Sequence, residues 1–406
     1  MDHVRRTDAE RLSMSTRIGI AVLGLGWMGQ AHSRSALRIP SLFPDRSFDP
    51  ELVVCADTDP DRRVRATRDF GFARSVEDWH EAVTAPDVDA VWVTAPNMLH
   101  IPMIEAACAA GKAVFSEKPI GGKPEQAVRA YRAAQAAGVA TGVGYNYLWA
   151  PLVLHARELI ASGELGEITH YRGHFLSMYG SDELGLLSWR FMLDEAGYGV
   201  TSDILSHSVS MAQFLVGPIA EVVGDRATTI THRPLPTGAA SHYGRGNPDD
   251  PKGEVENEDY ASMLCRFENG ATGTFEASRT MVGPESQNTF AVYGTKGALA
   301  WNLEQLNELQ YYRLGSDKNT GFTTIFGGDR FPFHGAFVPG QANAIGFEDL
   351  VAIEDYSFME ALAAGDRFSP GFREAVDVVS VQQAVIDSWE SRTWQSVRDL
   401  AEGETA

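Results

Sequence analysis

Short apolar runs alternate with helical stretches over the first third of the chain. Each run is rich in β-branched residues and is followed by a segment with helical spacing, a pattern that predicts buried parallel strands connected by helices. The predicted strands cover residues 18–24, 52–56, 89–95, 112–116 and 139–144, and the predicted helices cover about 28–37, 60–70, 100–110 and 124–137. Because a parallel sheet needs helices on both faces, residues 17–145 are predicted to form a doubly wound α/β domain.

The pattern changes after residue 145, where longer segments alternate strictly between apolar and polar positions. Such alternation predicts antiparallel strands with one face against helices and the other face uncovered. The predicted strands cover 167–175, 260–267, 271–278 and 288–295, the predicted helices cover about 151–162, 348–363 and 372–390, and the Pro- and Gly-rich stretch 233–253 is predicted to be a long loop. Residues 146–406 are therefore expected to form an α+β domain with a large, mostly antiparallel open sheet.

The first sixteen residues are polar and carry charges of both signs. They lack the apolar segment of a secretory signal, so residues 1–16 are predicted to be a disordered leader. Since no apolar run approaches the length needed to cross a bilayer, we expect a cytoplasmic protein with no membrane association.

Charge narrows the range of partners. The chain has 34 Lys and Arg against 54 Asp and Glu, a formal net charge of −20. Phosphate backbones and anionic lipids would repel such a chain, which argues against nucleic-acid and membrane partners and leaves a small neutral ligand as the expectation. Three separated cysteines form neither a disulfide framework nor a CxxC site, and no metal site is expected, because His170 and His174 share a strand face without further ligand spacing.

A glycine-rich loop follows the first predicted strand and opens the first helix. The loop consists of Gly24, Leu25, Gly26, Trp27, Met28 and Gly29, a GxGxxG pattern. In this context the first glycine permits a tight turn, the second lets the backbone approach a pyrophosphate, and the third lets helix and strand pack closely. The helix N-terminus then offers N–H groups to the phosphates. The pattern predicts a Rossmann domain that binds a dinucleotide.

Asp57 ends the second predicted strand. An acidic side chain there accepts hydrogen bonds from the ribose hydroxyls and repels a 2′-phosphate, which favours NAD over NADP. Arg62 and Arg63 lie nearby and keep NADP open as the less favoured cofactor. The spacing from Gly26 to Asp57 is longer than usual, and the three prolines within residues 37–50 predict an inserted loop that accounts for the excess.

Three residues are candidates for chemistry. Lys118, one of only six lysines, immediately follows the predicted strand 112–116 at the carboxyl edge, where doubly wound folds bind ligands. Asp203 and His207 are four apart on a helix predicted over about 200–215, so both project from one face. A histidine can accept the proton of a hydroxyl that loses hydride, and a carboxylate can hold the substrate. The alternative for these two is a helix cap and a satisfied interior histidine.

Four segments together resemble the Gfo/Idh/MocA oxidoreductase family: LGLGWMG, TAPNMLH, EAACAAGKAVFSEKP and YGVTSDILSHSVSMAQFLVG. The resemblance implies that Lys118 contacts the nicotinamide ribose and the reacting hydroxyl, that His207 is the general base and that Asp203 positions the substrate. It also implies a cis peptide at Lys118–Pro119. Beyond the glycine loop and Asp57, the cofactor-binding residues that it implies are Thr94, Pro96, Asn97, His100, Glu117, Lys118, Trp189 and Arg190.

Within that family, the segments SWRF 188–191, 233–253 and 256–279 resemble the levoglucosan dehydrogenase and glycoside 3-dehydrogenase branch. This implies oxidation of a ring secondary hydroxyl, with C3 as the candidate position, of a sugar, glycoside or inositol. It also implies substrate contacts by Tyr147 and Trp189. An NAD-recycling glycosidase or eliminase, which oxidises the sugar only transiently, is the alternative on the same residues. Relatives assemble through the open sheet, so a homodimer or homotetramer is expected.

Overall fold

A computed structural model describes residues 15–236, 238, 244–315, 318 and 320–402. Almost all of the predicted leader, residues 1–14, lies outside the described residues, and the first strand already begins at Thr16. The chain divides into two compact units. The first comprises residues up to Glu117, 132–144 and 347–371, and the second comprises residues 118–131, 145–346 and those from Phe372 onward.

The first unit is built on a six-stranded parallel sheet, as the alternation of strands and helices predicted. Its strands are β1 Thr16–Leu23, β2 Phe48–Ala56, β3 Arg74–Val76, β4 Ala90–Val93, β5 Ala113–Ser116 and β6 Thr141–Val143. Their order, β3-β2-β1-β4-β5-β6, reverses direction beside β1, as in a doubly wound sheet. The edge strand β3 was not predicted, because three half-buried residues carry no apolar run.

Five helices connect these strands in turn: Trp27–Leu42, Pro60–Asp69, Trp79–Val83, Asn97–Ala109 and Pro124–Ala137. The expectation of an inserted loop over residues 37–50 is wrong. The first helix continues through Pro40 to Leu42, and β2 begins at Phe48. Ile39 and Phe43 are buried, so the packing of this last turn outweighs the backbone hydrogen bond that Pro40 cannot make.

The helix Phe347–Ala364 also belongs to the first unit, although sequence alone placed this segment in the second domain. It is fixed by ion pairs to the first helix. Arg34 forms two hydrogen bonds with Glu348, at 2.8 and 2.6 Å, and Arg38 pairs with Asp349 at 2.5 Å. Pairings across more than 300 residues leave no local pattern, so they could not be predicted from the sequence.

The second unit is built on a nine-stranded sheet. Its strands are β7 Ile168–Leu176, β8 Ile219–Ala227, β11 Tyr260–Phe267, β12 Thr272–Ser278, β13 Gln287–Gly294, β14 Gly297–Asn302, β15 Glu308–Arg313, β16 Thr323–Phe326 and β17 Gln395–Ser396, while β9 His232–Pro234 and β10 Lys252–Glu254 form a separate pair. Only β7 and β12 pair in parallel among the described strands of the large sheet. The prediction of a large, mostly antiparallel sheet is confirmed.

Alternate residues of β11 are buried, and those between them reach the other face, where Leu264 is 50% exposed. The helices of this unit are Pro151–Ala161, Leu193–Ala196, Val200–Asp203, Leu205–Leu215, His334–Phe337 and Phe372–Ser391, and Pro124–Ala137 is divided between the units. None of the helices in the described part of the chain combines the length and the apolar character needed to cross a membrane.

Candidate active site

The glycine loop has the close packing that its pattern predicted. Gly24 has a φ of +96°, a conformation that favours glycine. A Cβ on Gly29 would lie 2.0 Å from the carbonyl oxygen of Gly24, so only glycine lets the helix start this close to the turn. A Cβ on Gly26 would meet no atom of the described residues within 4 Å. The loop is therefore tight on its inner side and open at Gly26.

The helix that starts after Gly26 has the features of a phosphate site. No side chain of the described residues caps its N-terminus, and its first turn holds no acidic residue. Its first N–H groups and the positive end of its dipole are thus suited to an anion. Trp27 is 64% exposed and stacks on Phe347 at 5.0 Å between ring centroids. Met28 is half-buried. The loop fits a pyrophosphate, the group that NAD would place there.

Asp57 is buried and holds the glycine loop. One carboxylate oxygen accepts the backbone N–H of Leu25 at 2.8 Å, and the other accepts that of Asp59 at 2.9 Å. Arg62 lies 3.5 Å from the first oxygen and is half-exposed, while Arg63 donates to the carbonyl oxygens of residues 57 and 58. Asp57 thus sits beside the loop at the end of β2, where the ribose was expected.

The segment after β4 contacts the same loop. Thr94 donates its hydroxyl to the Gly24 carbonyl at 2.6 Å. Pro96 is the N-cap of the helix that begins at Asn97. His100 is 1% exposed, and its Nε2 bonds the carbonyl of Ala95 at 2.8 Å. This geometry gives His100 a hydrogen-bond partner within its own segment.

Glu117 ends the first unit, and its carboxylate turns into the interior. It accepts a hydrogen bond from Nε2 of His32 at 3.0 Å, and Nδ1 of His32 contacts the Asp355 carboxylate at 2.9 and 3.0 Å. Trp92 donates to Asp355 at 2.9 Å. Burial lowers the pKa of His32, but the two carboxylates outweigh it and raise the pKa to about 10. Sequence reasoning missed this cluster of charges.

In the second unit the structure brings Lys118 and Asp203 together. The Lys118 ammonium donates to Oδ1 of Asp203 at 3.0 Å and to its carbonyl oxygen at 2.8 Å. The Lys118–Pro119 peptide is cis, as the resemblance implied. The single helix predicted over 200–215 is wrong, since the structure breaks it at Ile204 between Val200–Asp203 and Leu205–Leu215. At this break the Asp203 carbonyl accepts the lysine and also the Ser206 hydroxyl at 3.2 Å.

Two further side chains engage the Asp203 carboxylate. Tyr179 donates its hydroxyl to Oδ2 at 2.9 Å, and the Arg190 guanidinium lies 3.6 Å from the same oxygen. Burial raises the pKa of Asp203, but the charges of Lys118 and Arg190 and the hydrogen bonds from Lys118 and Tyr179 outweigh it and hold the pKa well below its usual range. Asp203 is therefore a carboxylate at neutral pH. Tyr179 was missed, because a lone tyrosine in a loop after a strand carries no motif.

Further contacts hold the side chain and the backbone of Arg190 in place. Arg190 stacks on Trp189 at 4.7 Å from the ring centroid. Its carbonyl accepts hydrogen bonds from Asn257 at 3.1 Å and from Arg279 at 3.3 Å. Arg279 is itself paired with Asp259 at 2.7 Å, and both side chains are buried. This network, also missed from sequence, fixes the backbone that carries Arg190.

His207 lies among aromatic rings of the second unit. Its ring centroid is 4.7 Å from that of Tyr147 and 5.9 Å from those of Tyr145 and Phe175. Among the described residues, no group donates to or accepts from its imidazole nitrogens. Burial, and then the charge of Lys118, lowers the pKa of His207 well below its usual value, against the opposing effect of Asp203. The imidazole is therefore neutral at pH 7 and able to accept a proton.

Two family models match the chain. One, described as "Oxidoreductase family, NAD-binding Rossmann fold", matches residues 18–145, and the other, described as "GFO/IDH/MocA C-terminal domain", matches residues 153–300. The first match includes the glycine loop, Asp57 and Lys118, and the second includes Asp203 and His207.

Curated relatives and solved structures extend the match over nearly the whole chain. Levoglucosan dehydrogenase of Pseudarthrobacter phenanthrenivorans is 34% identical over 388 residues, which cover 95% of this chain and 99% of the relative. A scyllo-inositol 2-dehydrogenase (NAD(+)) of Bacillus subtilis is 28% identical over 291 residues, 70% of this chain and 74% of the relative. The structure of a levoglucosan dehydrogenase in complex with NADH and levoglucosan superposes with a TM-score of 0.88 at 32% identity, covering 94% of this chain and 100% of that one.

Proposed function

Because this chain belongs to the Gfo/Idh/MocA family of NAD-binding oxidoreductases, which includes sugar and inositol dehydrogenases, we propose that it oxidises a ring secondary hydroxyl of a sugar or glycoside to a ketone. The observation that carries the proposal is the pairing of Lys118 with Asp203 at 3.0 Å beside a buried, neutral His207. The chemistry that NAD supplies when bound is acceptance of the hydride from the carbinol carbon.

Each member of the cluster has a distinct task in this proposal. His207 accepts the hydroxyl proton, because its imidazole is neutral and its nitrogens have no hydrogen-bond partner among the described residues. Lys118 stabilises the negative charge that develops on the substrate oxygen. Asp203 remains ionised and orients a neighbouring hydroxyl through the oxygens that Lys118 and Tyr179 hold in place. The alcohol thus loses one hydride and one proton, and a ketone remains.

The first unit holds the cofactor in this proposal. The N–H groups after Gly26 bind the pyrophosphate, and Asp57 binds the adenosine ribose. Thr94, Pro96 and Asn97 contact the nicotinamide half. Glu117 serves the cofactor indirectly, since its carboxylate is bound to His32. Trp189, Arg190 and Tyr147 are the further residues that we propose to contact the sugar or the nicotinamide.

The substrate that we propose is a neutral pyranose related to levoglucosan, oxidised at C3. Support comes from the levoglucosan dehydrogenase relatives, whose solved complexes contain levoglucosan and L-sorbose. Inositols form the second group to test, since inositol dehydrogenases are more distant relatives. Tyr147 offers an aromatic ring next to His207 on which the C–H face of such a ring can pack.

The test is NADH formation with levoglucosan, glucose, myo- and scyllo-inositol and an aryl glucoside, followed by identification of the ketone by NMR. The proposal expects a ketone equal in amount to the NADH. Release of the aglycone without net NADH formation would contradict the dehydrogenase proposal and support the NAD-recycling glycosidase instead. A lack of both products with every compound would overturn the substrate class.

We further propose that the chain forms a homodimer or homotetramer through the uncovered face of its nine-stranded sheet, and that it acts in the cytoplasm. Leu264 is 50% exposed and Tyr293 is 37% exposed on strands of this sheet. Large apolar side chains exposed on this face favour its burial against another copy of the chain. Sedimentation should show an oligomer that Leu264→Asp dissociates. Leu37→Asp, at a similarly exposed position on a helix of the first unit, is the matched control. A wild-type monomer at micromolar concentration would contradict the proposal.

A further inference from the structure

Two glycines of the second unit meet backbone to backbone. A Cβ on Gly197 would lie 1.9 Å from the carbonyl oxygen of Gly122, and a Cβ on Gly122 would lie 2.2 Å from the carbonyl oxygen of Ala196. Gly197 also has a φ of +81°, which side-chain-bearing residues rarely adopt. Any other residue at either position would force the two segments apart. We call this contact the Gly122–Gly197 crossing.

Hydrogen bonds close the crossing. The Gly122 carbonyl accepts the backbone N–H of Tyr198 at 3.2 Å and the hydroxyl of Ser202 at 2.9 Å. Both donors belong to the stretch that leads from Gly197 to Asp203. The loop that follows Lys118 is thereby fixed to the segment that carries Asp203.

The segment that carries Asp203 also packs closely against Glu258, so it cannot move away from the crossing. A Cβ on Gly199 would lie 2.0 Å from the carbonyl oxygen of Glu258, and the backbone N–H of Thr201 donates to the Glu258 carboxylate at 2.9 Å. Asn257 donates to the Gly197 carbonyl at 2.9 Å. A methyl group added at the crossing must therefore displace the Lys118 loop.

We propose that the Gly122–Gly197 crossing sets the position of Lys118 against Asp203 and His207, and that both glycines are positioning residues for the oxidation. The inference rests on the proposed function, in which these three side chains act on the substrate. Lys118 lies four positions before Gly122, and Asp203 six positions after Gly197, so the crossing is close to both partners along the chain. It provides the fixed frame behind their contact of 3.0 Å.

Gly197→Ala is the main test. Displacement of Lys118 by about 1 Å should lower kcat by about 100-fold, since misplacement on this scale has that effect on catalysis. NADH affinity should change far less than kcat, because the glycine loop is untouched. The pKa of His207 should rise, because the Lys118 charge then lies farther away. The other titratable groups that face His207, namely Asp203, Tyr145 and Tyr147, should remain in place.

The matched control is Gly163→Ala. Gly163 has a φ of +77°, close to that of Gly197, but a Cβ there would meet no atom of the described residues within 4 Å. It carries the same backbone strain without the contact. Ser202→Ala removes one hydrogen bond of the crossing without steric conflict, and should lower kcat several-fold with the same direction of change at His207.

The imidazole titration of His207 is followed by NMR in the wild type and the variants, beside kcat, KM and NADH affinity. This readout needs no substrate, so failure to find a sugar substrate would overturn the proposed function without deciding the crossing. A raised His207 pKa in Gly197→Ala and Ser202→Ala, but not in Gly163→Ala, supports the crossing. An unchanged His207 pKa in folded Ser202→Ala and Gly122→Ala protein, or equal effects of Gly163→Ala, would overturn it.

Discussion

Two buried histidines lie beside carboxylates in this chain, and their surroundings act on them in opposite ways. His32, in the first unit, is bound by Asp355 on one nitrogen and by Glu117 on the other. For His207, in the second unit, the charge of Lys118 has a larger effect on the pKa than that of Asp203, and no group of the described residues hydrogen-bonds to its ring. The pKa of His32 is raised to about 10, whereas that of His207 is lowered well below 6.5.

The comparison teaches how a structural histidine can be told from a chemical one. Both are almost fully buried, at 2% and 6% exposure, so burial does not separate them. Satisfaction does. The proton of His32 is held by two carboxylates, and the ring cannot give it up or accept another at neutral pH. The ring of His207 is neutral and has no hydrogen-bond partner among the described residues, so a bound molecule can complete its hydrogen bonding.

The largest effect is expected from His207→Ala. Loss of the proton acceptor should reduce kcat/KM by about 100- to 10,000-fold, while the unfolding midpoint stays near that of the wild type. Steady-state kinetics and urea unfolding measure the two quantities. If the variant kept more than roughly a tenth of the activity, His207 would not be the base.

His32→Leu should show the reverse pattern. Removal of the imidazolium leaves Asp355 and Glu117 without their counter-charge, which should cost about 3–5 kcal/mol of the free energy of unfolding. Activity per folded molecule should fall far less than in His207→Ala. Adding Asp355→Asn and Glu117→Gln should restore part of the stability, because the buried charges are then gone. A stable His32→Leu single variant would show that the cluster is not ionised.

The two histidines should also give opposite dependences of stability on pH. His32 binds its proton more tightly when folded, so its contribution is complete below about pH 6.5 and is lost as pH rises through about 10. His207 binds its proton less tightly when folded, so its contribution is lost as pH falls below about 6.5. Urea unfolding over a pH series should therefore be flatter on the alkaline side in His32→Leu and on the acid side in His207→Ala. Parallel curves for all three proteins would contradict the assigned states.

Sequence patterns predicted the fold well where elements are long and periodic. Apolar runs predicted the longer parallel strands of the first unit, and apolar–polar alternation predicted β7, β11, β12 and β13 of the second. Both patterns lie within the segment itself and need no knowledge of its distant partners. The edge strand β3 and the helical turn around Pro40 did not, since the former is too short for a pattern and the latter contradicts the usual preference of proline.

The candidate site divides in the same way. Gly24, Gly26 and Gly29 could be found because a dinucleotide loop needs fixed spacing between a strand and a helix. The pairing of His32 with Asp355 joins residues 323 positions apart, and Tyr179 reaches Asp203 from an irregular loop. Such contacts are created by tertiary packing, so no spacing of residues in the sequence predicts them. At the break beside Ile204, the Asp203 carbonyl likewise accepts a hydrogen bond from Lys118, which lies 85 positions earlier in the chain.

The smallest effects should come from one donor to each carboxylate. Tyr179 donates to Asp203, and Trp92 donates to Asp355, both at 2.9 Å. The Asp203 side chain is 22% exposed, so water can replace the phenol in Tyr179→Phe, and the variant should lose orientation more than stability. Its kcat/KM should fall about tenfold, a loss within the range of hydrogen bonds to charged groups.

The Asp355 side chain is 2% exposed, so water cannot replace the indole in Trp92→Phe. This variant should lose about 1.5–3 kcal/mol of unfolding free energy and keep its kcat, because Asp355 serves the fold rather than the substrate. Each substitution is thus the control of the other, measured by the same kinetics and the same unfolding series. Loss of activity in Trp92→Phe at full occupancy of the folded state would mean that the buried charges of the first unit also take part in catalysis, and the separation of the two histidines would have to be abandoned.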